Sequence, residues 1–216
     1  MKKNLALAIL LSVSAFFSAQ DTQENITRKS DSKMSFGIKG GYSLSNMKFY
    51  NNNLDAKSFF YVGIVGEQKI SSKFGVQAEI LYTELGGIYY YPTLQLIGNE
   101  LVQTSQTEAK YKFDQIQVPV SIKYYVIPEL SVSAGMNVGI NISEKVKATS
   151  IPENNIFYNY SDLKTINLFP FLGAEYKINA NFFADARYHF NFIEVNSGGI
   201  PTKIGFLQAG IGYRFK

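Results

Sequence analysis

Residues 130–143 read LSVSAGMNVGINIS. Leu130, Val132, Ala134, Met136, Val138, Ile140 and Ile142 alternate there with Ser131, Ser133, Gly135, Asn137, Gly139, Asn141 and Ser143. A strand sends successive side chains to opposite faces, so this stretch has one apolar face and one small or polar face. A helix of 3.6-residue period would mix the two sets around its circumference, so the alternation excludes it.

The same two-residue period recurs on both sides. Phe36, Ile38, Tyr42 and Leu44 oppose Lys39, Ser43 and Ser45; Phe60, Val62 and Ile64 oppose Tyr61, Val65, Glu67 and Lys69; Phe74, Val76, Ile80 and Tyr82 oppose Gln77, Glu79 and Thr83. Further on, Ile116, Val118, Val120 and Tyr124 oppose Gln115, Gln117, Ser121 and Lys123, with Pro119 marking a lost ladder donor or a bulge. Leu168, Leu172 and Tyr176 oppose Phe169, Phe171, Glu175 and Lys177; Phe182, Tyr188 and Phe190 oppose Asp185, Arg187 and His189; Leu207, Ile211, Tyr213 and Phe215 oppose Phe206, Gln208 and Arg214.

These make eight segments over residues 34–216. Tight connections at 71–73, 127–129 and 179–180 alternate with longer ones at 46–57, 88–110, 144–163 and 194–202. Short turns on one side and long loops on the other belong to barrels of the outer-membrane type. The expected fold is therefore all-β: an eight-stranded antiparallel up-and-down transmembrane β-barrel with both termini periplasmic.

The choice of outer face follows from volume. The interior of eight strands is just wide enough for side chains to fill, which suits the face bearing Gly, Ser and charge. The bulky aliphatic face then points outward, a hazard in water but a match for hydrocarbon. A lipocalin-like carrier or a soluble β-sandwich would place these faces the other way round. The inward set counts six basic groups (Lys39, Lys69, Lys123, Lys177, Arg187, Arg214) and four acidic ones (Glu67, Glu79, Glu175, Asp185), so a compensated network is expected. Tyr42, Tyr82, Tyr188 and Phe190 are expected in one aromatic girdle, and Phe36, Phe74, Tyr124, Tyr213 and Phe215 in the other.

Residues 1–19 read as a secretory signal peptide, with Lys2 and Lys3 before an apolar run ending in Ser18 and Ala19. That run is shorter than the roughly 20 residues of a spanning helix. Residues 20–33 are polar and aperiodic and are expected to be flexible; 34–216 form the single domain. With 21 basic and 17 acidic residues in the chain, the net charge of +4 gives no argument for a nucleic-acid partner. The absence of cysteine excludes a disulfide framework and a Cys nucleophile.

Sites of chemistry are few. His189 is the single histidine and shares a face with Asp185, but four strand residues separate them by about 13 Å, too far to pair along the strand. Membership in the interior polar network is the favoured role, with an acid–base role as the rival. One His and no Cys leave no credible metal set, and no catalytic, cofactor-binding or metal residue is assigned. The stretches YYYPTLQLIGNELVQ and IPENNIFYNYSDL mix aromatic and polar residues; each suits either a contact surface or an extension of the strands.

The segments FGIKGGYSLSNM, KFGVQAEILYTELGG, IQVPVSIKYY, LSVSAGMNVG and IGFLQAGIGYRFK resemble the outer-membrane β-barrel proteins of Bacteroidetes, the PorT-like or outer membrane protein beta-barrel domain group. The resemblance spans 34–216 and implies location in the cell outer membrane, contact with lipid and lipopolysaccharide, and recognition of the closing strand by the barrel assembly machinery. Phe215 matches the terminal aromatic of such strands, displaced by one residue by Lys216. The expected function is non-enzymatic, a structural or interaction role through extracellular loops with a protein or glycan partner and no cofactor. Alternatives are a narrow passive channel, a component of a secretion or gliding apparatus, and an outer-membrane lipid-modifying enzyme using His189.

Overall fold

The computed structural model describes residues 34–49, 52–148, 163–196 and 201–215. The expected signal peptide at 1–19, the segment 20–33 and nearly all of the loop stretch 151–163 lie outside the described residues. Nine strands join in one sheet. They are β1 (Met34–Phe49), β2 (Asn52–Asn53), β3 (Lys57–Lys69), β4 (Phe74–Ile97), β5 (Glu100–Tyr125), β6 (Leu130–Ala148), β7 (Ile166–Lys177), β8 (Phe182–His189) and β9 (Thr202–Arg214). Their order is β2-β1-β3-β4-β5-β6-β7-β8-β9, and β1 also pairs with β9, from Gly37↔Arg214 to Phe49↔Thr202.

This sheet corrects the expectation of an eight-stranded up-and-down barrel. It has nine strands among the described residues, and its order starts from β2, which the sequence pattern assigns to a loop. The cause is local. The β1–β3 ladder stops at Ser45↔Lys57, whereas Lys48↔Asn53 and Phe49↔Asn52 carry β1 onward in a register offset by one residue. Leu54 lies at that offset, buried, with its N–H donated to the Met47 carbonyl at 2.8 Å. Two asparagines have no hydrophobic period, so alternation cannot reveal the strand they form. The placement of both termini rested on the eight-strand topology and falls with it.

The tight connections lie where the sequence puts them. Ser71 Oγ accepts the Phe74 N–H at 3.0 Å, and Asn179 Oδ1 accepts those of Asn181 and Phe182 at 2.9 and 2.8 Å. Such side-chain turns spare the backbone a longer loop. The β4–β5 register passes from Ala78↔Val120 to Leu81↔Gln117, leaving out Pro119, which has no N–H to give. On its other side Pro119 keeps its place opposite Asn137.

At the far end β4 and β5 do not stop at the rim. Residues 88–110 are a continuous hairpin, paired from Ile88↔Lys110 to Ile97↔Glu100 with one irregularity at Thr93/Leu94. This resolves the first of the two open stretches as strand extension. Gly98, at φ 67°, makes the turn, a backbone conformation that disfavours any side chain.

Alternation sets the faces as expected. Phe36, Ile38, Val62, Ile64, Leu172 and Ile211 are exposed, whereas Lys39, Glu67, Gln77, Lys123, Asn137 and Arg187 are buried. Aromatic pairs mark both ends of the apolar surface. Phe74 lies 5.3 Å from Tyr124 and Phe182 5.1 Å from Tyr213 at the short-turn end; Phe60 lies 5.8 Å from Tyr82 and Tyr188 5.1 Å from Phe190 toward the other.

Candidate functional site

The inward column of β5 shows how the interior is layered. From the short-turn end it presents Tyr125, Lys123, Ser121, Gln117, Gln115, Phe113 and Tyr111, all buried. Charge, amide and aromatic groups follow one another along a single strand.

The charged layer consists of two neutral quartets. In the first, Lys39 Nζ is 2.6 Å from Asp185 and 3.4 Å from Glu79, while Arg187 is 2.6 Å from Glu79 and 3.1 Å from Asp185. In the second, Lys123 is 2.7 Å from Glu67 and 2.9 Å from Glu175, while Arg214 bonds Glu175 at 2.8 Å and also Glu67. The second quartet draws one residue from each of β3, β5, β7 and β9, so its bonds run across the interior rather than along a ladder. Gln77 joins the quartets, accepting from Lys123 at 2.9 Å and donating to Glu79 at 2.5 Å. Removing such ions from water costs several kcal/mol each, which alternating partners offset.

Above the charges an amide chain crosses the interior. Gln208 donates to Gln117 at 3.3 Å, Gln117 to Gln115 at 3.1 Å, Gln115 to Asn141 at 2.7 Å, and Asn141 to the Lys164 carbonyl at 2.8 Å. An apolar plug follows, built from Met47, Leu54, Leu85, Tyr111, Phe113, Phe169, Ile204 and Phe206. The sequence reading, which filled the interior with small and charged groups, lacks this plug. Its signal is present in the inward parity of Leu85, Tyr111 and Phe113, which continues past the apolar outer surface into the hairpin.

His189 is fully buried and stacks on Phe206 with ring centroids 4.0 Å apart and an interplanar angle of 15°. Phe171 covers its other flank at 5.1 Å. Asp185, which the sequence puts on the same face but too far along the strand to pair with it, is engaged by Lys39 and Arg187. The structure therefore joins His189 to the aromatic boundary of the interior, fully buried between Phe206 and Phe171. Among the described residues no group of His, Cys, Asp and Glu could hold a metal ion.

Two features reach solvent. At the short-turn end a cavity of about 330 Å3 is bordered by Glu67, Lys69, Lys177, Asn181, Arg214 and Phe215, among others. At the other end the tip of the β4–β5 hairpin bares Leu94, Leu96, Ile97 and Leu101, with Leu96 69% and Leu101 68% exposed. From Tyr89 onward β4 is paired with β5 as far as Ile97↔Glu100.

An inverted sheet, apolar outside and ionic within, agrees with the family model that matches residues 18–196, that of the outer membrane protein beta-barrel domain. The chain belongs to this family. It is a protein of the bacterial outer membrane. Among solved structures it is similar to the attachment invasion locus protein Ail of Yersinia pestis, crystallised with the heparin analogue sucrose octasulfate: 16% identity, 85% of this chain, 99% of that one, TM-score 0.47. It is also similar to Neisserial surface protein A, at 14% identity over 85% of this chain and 99% of that one, TM-score 0.49. OprG of Pseudomonas aeruginosa shares 16% identity over 85% of this chain and 97% of that one, TM-score 0.38. No curated protein matches the sequence.

Proposed function

We propose that this protein is an outer-membrane interaction module that presents its β4–β5 hairpin to a protein partner outside the cell. The observation that carries the reading is the hairpin tip: Leu94, Leu96, Ile97 and Leu101 are exposed on both faces of a two-stranded ribbon. A ribbon with an exposed apolar tip gains from burial, so a protein surface suits it better than a glycan. Membership of a secretion or gliding apparatus would be one form of that interaction. The motifs shared with the PorT-like Bacteroidetes group support this narrower assignment, and removal of 1–19 on export and recognition of β9 by the assembly machinery belong to the same reading.

A conducting lumen has the structure against it, since ionic, amide and apolar layers fill the interior in turn. The test of the proposal is cross-linking on intact cells, comparing the native protein with a Leu96→Asp/Leu101→Asp variant. A discrete cross-linked species with the native chain that is absent with the variant is the expected result. Identical cross-linking in both would overturn the hairpin as the contact element.

A further inference from the structure

We propose that the short-turn end holds a phosphate-binding site formed by Lys69 and Lys177. Of the six inward basic groups, Lys39, Arg187, Lys123 and Arg214 are matched one for one by Asp185, Glu79, Glu67 and Glu175 in the two quartets. Lys69 and Lys177 are left over. Neither makes an ion pair with a carboxylate among the described residues, and both border the cavity of about 330 Å3.

The two ammonium groups are brought together by one ring. Lys69 Nζ lies 4.5 Å and Lys177 Nζ 5.2 Å from the centroid of Tyr125, whose hydroxyl bonds Glu67. Two like charges held within about 10 Å of each other repel, and the face of a ring, which carries no net charge, leaves that repulsion in place. Glu67, which also borders the cavity, is already shared by Lys123 and Arg214. A multiply charged oxyanion between the two lysines would neutralise the surplus, and a phosphate, which accepts from both ammonium groups at once, fits this arrangement. The cavity of about 330 Å3, open to solvent, has room for a phosphate.

Phe182 and Phe215 also border the cavity and are exposed on the apolar outer side, so the site opens where sheet surface meets headgroup depth. The phosphate can thus come from a phospholipid headgroup or from a soluble phosphate ester. This site is independent of the hairpin, and its test reads a different end of the molecule.

The experiment uses the full chain extracted in a phosphate-free, uncharged detergent, with Lys69→Gln/Lys177→Gln and Lys69→Arg/Lys177→Arg as variants. Native mass spectrometry reads phospholipid carried over from the membrane, and titration with inorganic phosphate followed by 31P NMR reads the free anion. Retained phospholipid displaced by added phosphate identifies a headgroup site, and phosphate binding without retained lipid identifies a solute site. In either case the Gln pair should weaken binding at least tenfold, and the Arg pair should restore it, with the gel mobility shift on boiling unchanged in both. No binding of either probe to the native chain, or equal binding by the Gln pair, would overturn the site.

Discussion

Lys39 holds Asp185 at 2.6 Å although β9 lies between their strands, and Glu79 receives Arg187 at 2.6 Å from the opposite side of the sheet. These bonds are long-range in sequence and cross the interior, so the first quartet joins strands that the backbone ladder does not pair. Replacing Glu79 by Ala leaves two cations facing a single carboxylate in a water-poor space. The expected loss is about 3–5 kcal/mol. Urea unfolding in detergent, followed by the gel mobility shift on boiling, would register it; an unchanged midpoint would mean that water already reaches the quartet.

Gly212 shows the same interior limiting side-chain volume. A Cβ at this position would collide with the Phe183 ring of the neighbouring strand, and the ring is itself fully buried. Gly212→Val is expected to prevent formation of the compact heat-shifting species, whereas Gly212→Val combined with Phe183→Ala should recover it in part. The paired gel assay separates a steric cause from a general intolerance of β9 to substitution, because only the former is relieved by trimming Phe183.

The alternations along 34–216 announced the faces and the charged inward set, and the spacing between them the short turns, because a two-residue period is written in every strand buried on one side. What it could not announce depends on contacts without a period. Asn52–Asn53 pair only because β1 runs past the β1–β3 ladder, and the partners of Lys39 and Lys123 were open until strand order fixed which inward groups meet. The apolar plug was hidden for another reason: Phe169 and Phe206 share a face with Asn167, Gln208 and Arg214, so composition by face averages over layers that differ along the strand axis.

His189 offers a test of role rather than of strength. Its ring stacks on Phe206 at 4.0 Å and is flanked by Phe171, so shape is what the position uses. His189→Phe conserves that stacking and removes every acid–base possibility. The expected change is below about 1.5 kcal/mol, with surface cross-linking retained. Loss of cross-linking by a variant that still shows the native mobility shift would restore a chemical role to the imidazole.

The filled interior also predicts electrical silence. The amide chain from Gln208 to Asn141 and the plug around Phe113 and Phe206 close the path above the quartets. In planar bilayers the native chain should therefore give single-channel conductance near baseline at moderate voltage. Trimming the plug with Phe113→Ala/Phe206→Ala removes two buried rings but leaves the amide chain and both quartets, so conductance should stay near baseline even there. Replacing all eight residues of the two quartets and Gln115, Gln117 and Gln208 by Ser in the trimmed background takes out every layer that crosses the interior while preserving charge neutrality, and discrete steps are expected first in that variant. Steady open-channel currents from the native chain would show that the layers move apart in a bilayer and would put passive transport, the alternative reading, ahead of the interaction role.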